Sequence, residues 1–463
     1  MKENKIKVGL LSLMLKLYDK SAPELKQKQT VFAIKVIELL SSDMNIVFGG
    51  VANTKETVHN AIKKFESEKV DVILILFLSY APSLIVIDSL KKTKIPVIIF
   101  DTTPKNYIDN TFSHNDMMEN HAIHGVQDLT NMLIRSEKKF GIVAGHISDK
   151  TVIKKLIDMC YTVSEKETKQ YRVGRIGNIF RGMGDFFVDK NIIKKFIGAN
   201  IINIPINEYC LNYKNIDKNE IEKVYKIDKS KYVFDKDIDK NLIEISIRAE
   251  LALRKIISDY ELSAISVNFL DIGNCPSAGT VPFYGISKLI SEGYGYAGEG
   301  DTTCAVMVKF VSEIAGQSTF TEMFCPDWTN KEIFMSHMGE SNLKMAYNEN
   351  EIRVIKKSFP YGIVKSPLVF LFRYKPGTVT IANLTMVNNK KLRIICSCAD
   401  ITDFYLKNID VPHFKIRPHL QLEKFLTYYS NAGGTHHLAM TYGDITDKLE
   451  EKSVQLGIDF IRI

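Results

Sequence analysis

Four residues in the last third of this chain have the types and settings of a reactive site: Glu299, Glu322, His337 and His437. Glu299 stands in Gly298-Glu299-Gly300-Asp301 and Glu322 in Phe320-Thr321-Glu322-Met323-Phe324. His337 lies in Phe334-Met335-Ser336-His337-Met338, and His437 closes Ala432-Gly433-Gly434-Thr435-His436-His437. Two carboxylates and two imidazoles are a sound ligand set for a divalent ion such as Mn²⁺, and carboxylates beside a metal can also move protons. Such a set suits chemistry next to a carbonyl, where an ion polarises oxygen and a carboxylate takes a carbon-bound proton. Each member also has a plainer reading. A glutamate in a turn is usually solvated, and a histidine among Phe334, Met335 and Met338 is usually a satisfied core residue. On a strand, His436 and His437 would face opposite ways, so one of them alone could face a given site.

Positioning these residues takes more than one domain, since 463 residues exceed a single ordinary core. The first part reads as alternating strands and helices, with strands over 6–13, 70–78, 96–101 and 140–145. Those over 70–78 and 96–101 are short, nearly continuous apolar runs of the kind buried on both faces of a parallel sheet. Helices are expected from Ser21-Ala22-Pro23-Glu24, read as a capping box, to about Leu40, and over 55–69, 83–92 and up to Cys160. A second α/β unit opens with a strand over 171–176 and a glycine-rich turn over 177–182. It continues with a helix over 241–260, a strand over 264–269 and a helix over 285–292. From about Thr319 the texture turns to β, with runs over 368–374, 377–387 and 392–399 and a hairpin turn at Asn388-Asn389. The expected architecture is two doubly wound α/β domains, 1–165 and 166–318, followed by a β-sandwich or barrel-like domain over 319–463.

Composition narrows the class. Hydrophobic residues at 45% and charged residues at 25% are ordinary for a globular protein. The net charge of +7, from 61 basic and 54 acidic residues, is spread over helix faces such as Lys63-Lys64 and Lys194-Lys195. No dense basic block marks a nucleic-acid partner. Seven cysteines are scattered without a Cys-x-x-Cys pair, which favours free buried thiols over a zinc ribbon. The amino-terminal residues run straight into a strand, and no apolar run approaches membrane-spanning length, so a cytoplasmic protein is expected.

Gly293-Tyr294-Gly295-Tyr296-Ala297-Gly298 spells the dinucleotide-binding fingerprint. That motif needs a strand before it, and here a helix precedes it, so no nicotinamide site is expected. The stretch reads instead as a helix stop and a tight glycine loop presenting Glu299 and Asp301.

Taken together, 292–301, Phe320-Thr321-Glu322, Ser336-His337-Met338 and 432–437 resemble the four metal-site segments of the L-arabinose isomerases, in the family's order. The likeness extends upstream. Asn120-His121-Ala122-Ile123-His124-Gly125 resembles the segment whose histidine reaches a neighbouring subunit's active site. Leu17-Tyr18 and Ser79-Tyr80-Ala81-Pro82-Ser83 resemble two further substrate-side segments. The resemblance, which reaches the wider L-fucose isomerase-like group, covers nearly the whole chain and marks a divergent member. It implies two α/β domains and a β-barrel-like domain, assembled as a homotrimer or homohexamer with sites between subunits. It implies that Glu299, Glu322, His337 and His437 hold Mn²⁺, with Co²⁺ or Mg²⁺ as alternatives, and that the two glutamates shuttle the proton. His436 is the alternative to His437 as ligand and is otherwise a substrate contact, with His124, Tyr18 and Tyr80. The family's Trp-Lys after Glu-Gly-Asp is Thr302-Thr303 here, its Gln-His-Leu-Tyr-Gly is Leu15-Lys16-Leu17-Tyr18-Asp19, and its glutamine before the cross-subunit histidine is His121. The metal set is kept while the sugar-contacting set is changed.

The implied function is a metal-dependent aldose–ketose isomerase, an intramolecular oxidoreductase acting on a free pentose or deoxyhexose through an enediol. Two rivals stand beside it. One is a sugar-binding or sensor protein without turnover, since two serial α/β domains can bind a ligand in a cleft. The other is a different metal-dependent sugar-processing enzyme.

Overall fold

A computed structural model describes residues 5–165 and 169–463. The chain divides into two compact units, Met1–Glu167 with Glu450–Gly457, and Thr168–Leu449 with Ile458–Ile463.

In the first unit, strands β1 (Lys7–Leu13), β2 (Asn45–Ala52), β3 (Val72–Phe77), β4 (Val97–Asp101) and β5 (Gly141–Ala144) form a parallel sheet. Its order is β2-β1-β3-β4-β5. Every residue of the β3 sequence Val-Ile-Leu-Ile-Leu-Phe is buried, because helices cover both faces of the sheet and leave no polar side for alternation. The helix Pro23–Leu40 starts where expected, but no side chain caps it. Ser21 ends a short preceding helical turn, and its hydroxyl donates to Leu17 O. The capping box is therefore not formed; Pro23, at the first helical position, presets the entry dihedral instead.

The second unit begins with β6 (Tyr171–Ile176), β7 (Ala199–Ile204), β8 (Val233–Phe234), β9 (Ala264–Val267) and β10 (Gly295–Gly298). All but β8 make a parallel sheet, β10-β9-β6-β7. Read from its other edge, this repeats the order of the first four strands of the amino-terminal sheet. The glycine stretch before Glu299 is thus half strand. Gly295–Gly298 is fully buried, and only the residues before it form the loop expected there.

Beyond the helix Thr302–Ala315 the chain becomes sheet-rich, with β11 (Thr319–Asp327), β12 (Glu332–Ser336), β13 (Arg353–Lys356), β14 (Leu368–Leu371), β15 (Gly377–Val387), β16 (Lys391–Ile401), β17 (His413–Pro418), β18 (His437–Tyr442) and β19 (Asp459–Arg462). Seven of these pair in the order β15-β18-β11-β12-β17-β16-β19, with mixed directions, and β15 also pairs with β16. The pairings from β15 through β18, β11, β12, β17 and β16 therefore return to β15. The run expected as a strand over 368–374 stops at Leu371 and joins a separate sheet, β14-β13-β8. Asn388 and Asn389 form the expected turn with φ of 53° and 52°, a conformation that asparagine tolerates better than most residues. A shared core cluster bridges the two parts of this unit. It joins Ile243, Ile247 and Tyr284 of the α/β part to Phe370, Ile381 and Phe414 of the sheet-rich part. The two parts therefore hold one another in fixed register around the residues at their seam.

Candidate active site

Glu299 follows directly on β10, at the carboxyl end of the central sheet, where open α/β sheets place their ligand-binding residues. Its φ is +64°, in the left-handed region that disfavours a side chain by roughly 1–2 kcal/mol. The conformation is fixed from both sides. The Glu299 N–H donates to Val267 O at 2.8 Å, and its carbonyl accepts from the Phe180 N–H at 2.8 Å. Gly300 has a φ of +84°, and a Cβ there would also meet Asn178 O at 2.5 Å, so glycine is required on both counts.

The next residue, Asp301, caps the helix Thr302–Ala315 through one carboxylate oxygen, which accepts from the Thr303 and Cys304 N–H groups. Its other oxygen lies 3.1 Å from His437 Nδ1. His337, just past β12, has a matching partner: Nδ1 lies 2.8 Å from Glu340 Oε2, and Glu340 Oε1 accepts from the Tyr296 hydroxyl at 2.6 Å. Each imidazole thus has its Nδ1 held by a buried carboxylate, which leaves Nε2 as the free nitrogen. In metal sites this outer partner fixes the tautomer and aims the ligand nitrogen. His437 Nε2 is buried with no hydrogen-bond partner and lies 3.6 Å from Glu299 Oε2.

Packing fixes the rings as firmly as the hydrogen bonds. Phe320 stands between them, with ring centroids 4.5 Å from His337 and 4.8 Å from His437. Gly298 makes room for His337, because a Cβ there would fall 2.7 Å from its Cε1. Asn383 on β15 holds the turn that delivers His437, donating to Thr435 Oγ1 and His437 O and accepting from the Thr435 N–H. The outcome is that donor atoms of Glu299, His337 and His437 lie within 4.8 Å of one another.

The electrostatics follow from burial and crowding. Burial pushes the Glu299 carboxyl up from its ordinary range, and burial does the same to Glu322. Burial raises Asp301 to about 7. His437 is driven well below the usual imidazole value by burial and by the neighbouring His337 and His436, so it stands neutral with an available lone pair. Burial also pulls on His337, but Glu340, Glu322 and Glu299 outweigh it and raise the imidazole. A compact set of buried carboxylates and imidazoles, crowded enough to repel one another's charges, is the donor chemistry a divalent cation would relieve.

Glu322 lies on β11 in register with His437. Directly paired residues point to the same face of a sheet, so its carboxylate faces this cluster, although it falls outside the 4.8 Å set. His436 precedes β18, so strand alternation does not separate it from His437. Their ring centroids lie 4.4 Å apart, and Phe186 stacks on His437 and lies tilted against His436. The two rings therefore lie side by side, although His437 alone of the pair is in the 4.8 Å set. His436 Nδ1 is taken by Asp185 at 2.7 Å. The sequence alone singles out none of Asp185, Phe186 and Glu340, and marks Asp301 only as part of the loop that presents Glu299.

Tyr18, Tyr80 and His124 belong to the first unit. There Tyr80 and His121 have ring centroids 6.1 Å apart, and His121 Nε2 meets His124 Nδ1 at 2.7 Å. Burial raises the pKa of Tyr18, against a hydrogen bond with Ser79 and beside Tyr80. The upstream residues are thus gathered into one cluster with His121.

Profiles of three domains match the chain in order: the L-arabinose isomerase N-terminal domain over residues 15–170, its central domain over 172–317 and its C-terminal domain over 317–459. The chain belongs to the L-arabinose isomerase family. Among its relatives, the L-arabinose isomerase of Shouchella clausii is 24% identical over 399 residues, 83% of this chain and 80% of its own. That of Phocaeicola vulgatus is 23% identical, covering 91% of this chain and 86% of its own. That of Thermotoga neapolitana is 22% identical, covering 93% and 89%. A solved ABC transporter solute binding protein from Burkholderia multivorans covers 67% of this chain and 93% of its own, at 13% identity and a TM-score of 0.18. A likeness that weak bears on neither fold nor function. No helix among the described residues is long and apolar enough to cross a membrane.

Proposed function

We propose that this chain is a cytoplasmic, metal-dependent aldose–ketose isomerase that interconverts a free pentose or deoxyhexose, L-arabinose-like, with its ketose. The observation that carries the reading is the pair of buried imidazoles, each set on its own carboxylate, converging with Glu299. End-to-end membership in an isomerase family supports it.

Glu299, Glu322, His337 and His437 would hold the ion, Mn²⁺ first, with Co²⁺ or Mg²⁺ as alternatives. Such an ion supplies polarisation of the carbonyl oxygen and stabilisation of enediolate charge. Glu322 is assigned as the leading base and Glu299 as its partner. One carboxylate takes the C2 proton of the open-chain aldose, the C–H electrons form the C1–C2 double bond, and O1 takes up the carbonyl electrons. Return of a proton to C1, with transfer of the O2 proton to O1, leaves a hydroxyl on C1 and the carbonyl at C2. Phe320 and Phe186 keep water from the imidazole faces, and Asp301 and Glu340 hold the Nδ1 protons away from the ligand nitrogens.

The reading includes Tyr18, Tyr80 and His124 as sugar contacts, with His124 donated to the site of a neighbouring subunit in a homotrimer or homohexamer. It also takes the third domain as barrel-like, a view supported by the strand pairings that return from β16 to β15.

The test is conversion across a panel of free pentoses and deoxyhexoses by chelated protein, by protein with Mn²⁺ restored and by Glu322→Gln. Turnover that needs Mn²⁺ and falls by about 10²–10⁴-fold in the variant is the expected result. Sugar binding with no turnover under any condition would instead leave a binding protein.

A further inference from the structure

The turn Gly184–Phe186 comes from the α/β part of the second unit, yet both of its side chains act on the histidine pair of the sheet-rich part. Phe186 is 3% exposed and lies across His437, with ring centroids 4.9 Å apart and planes inclined by 23°. Asp185 Oδ2 meets His436 Nδ1 at 2.7 Å. Burial disfavours both charged forms, but the contact outweighs it on each side, holding Asp185 below and His436 above their ordinary values.

This contact differs from the two beside it. His337 and His437 are held by carboxylates of their own and take part in the cluster with Glu299. His436 has the same kind of support but lies outside that cluster. Its Nε2 is buried without a partner, while its side chain as a whole keeps 28% of its exposure. A supported imidazole with a free, buried nitrogen beside a carboxylate cluster can take a hydrogen bond from a molecule that enters that cluster. A sugar hydroxyl fits whichever nitrogen carries the proton, because it can both donate and accept.

We propose that Asp185 is a positioning residue for substrate recognition: it fixes the His436 ring so that Nε2 takes a hydroxyl of the sugar bound at the Glu299, His337 and His437 cluster. The proposal rests on the isomerase reading of that site. Asp185 is not part of the Glu299, His337 and His437 cluster. It acts through His436, with Phe186 as the wall against which the ring is set. Nothing in the spacing of the sequence connects residue 185 to residue 436; only the fold brings them together.

The experiment uses full-length protein with Mn²⁺ and the sugar that the panel identifies, and compares Asp185→Ala, Asp185→Asn, His436→Ala and the double variant. Four quantities are read: KM, kcat, Mn²⁺ affinity by calorimetry, and sugar binding by calorimetry. Asp185→Ala is expected to raise KM and weaken sugar binding by about tenfold, with kcat and Mn²⁺ affinity within about twofold of wild type. Asp185→Asn keeps an oxygen for the Nδ1 proton and is expected to restore most of the loss. Adding Asp185→Ala to His436→Ala is expected to have no further effect, because the first acts only through the second. Wild-type KM in Asp185→Ala would overturn the proposal. So would a loss of Mn²⁺ affinity matching the loss of sugar binding, which would make the turn a support for the metal ligands. Wild-type protein that neither binds nor converts any sugar would sink the isomerase reading itself, a result recognisably different from an unresponsive variant of a working enzyme.

Discussion

His121 and His124 in the first unit and His337 and His437 in the second make two pairs of close imidazoles, built on opposite plans. The first pair leans on itself: His121 Nε2 meets His124 Nδ1 at 2.7 Å, and His121 Nδ1 has no partner. The second pair leans on carboxylates, Glu340 for one ring and Asp301 for the other, and its rings stay 5.4 Å apart. Imidazoles that hydrogen-bond to each other must share a single proton, and a second charge between them is repelled. Imidazoles backed by separate carboxylates each keep a proton on the far side and a lone pair on the near side. Proximity of histidines therefore says little about metal chemistry, whereas the partner of the other nitrogen says a great deal.

That contrast can be broken most sharply at a proposed metal ligand. Replacing His437 by alanine is expected to lower Mn²⁺ affinity by more than the roughly 10–100-fold that loss of an outer partner causes. His124→Ala should leave Mn²⁺ affinity within about twofold, and isothermal titration of both variants decides the matter. Next in size is the outer partner itself. Glu340→Gln should weaken Mn²⁺ by about 10–100-fold while retaining the fold by circular dichroism. An unchanged affinity would mean that the carboxylate does not set the ring. Smaller again is Gly298→Ala, whose methyl would fall 2.7 Å from His337 Cε1. Overpacking of this kind costs about 1–3 kcal/mol, measurable by urea unfolding, and should displace the ring enough to weaken Mn²⁺ as well. The least effect is expected from His121→Ala, which removes one exposed hydrogen bond. A change of about 0.5–1.5 kcal/mol or less in unfolding free energy, with unaltered Mn²⁺ binding, would separate the two clusters.

The same contrast shows where sequence reading succeeds. Apolar runs such as Val72–Phe77 and Val97–Asp101 announce buried parallel strands, because burial on both faces leaves a signal in every residue. The Asn388-Asn389 turn is equally plain, since few residues accept positive φ twice in succession. Ser21 misled because a capping sequence is only an offer, and here its hydroxyl found Leu17 O first. Within the site, Glu340 stands three residues after His337 and could have been suspected from that spacing. The contact between Asp301 and His437 could not, because it depends on β18 pairing with β11 next to the helix that Asp301 caps. The pairing of β16 with β19, and the separation of β14 into another sheet, likewise depend on contacts between distant segments that leave no local pattern.

Glu299 has a consequence for how this protein could change over generations. Its backbone occupies a region where glycine or asparagine would rest more easily, and its carboxylate is held away from water by the folded surroundings. Replacement by glycine should relieve both burdens and give a chain that withstands heat better than the parent while binding the ion poorly. Populations selected only for solubility or endurance would drift toward that substitution, whereas any requirement for the chemistry would hold the strained glutamate in place.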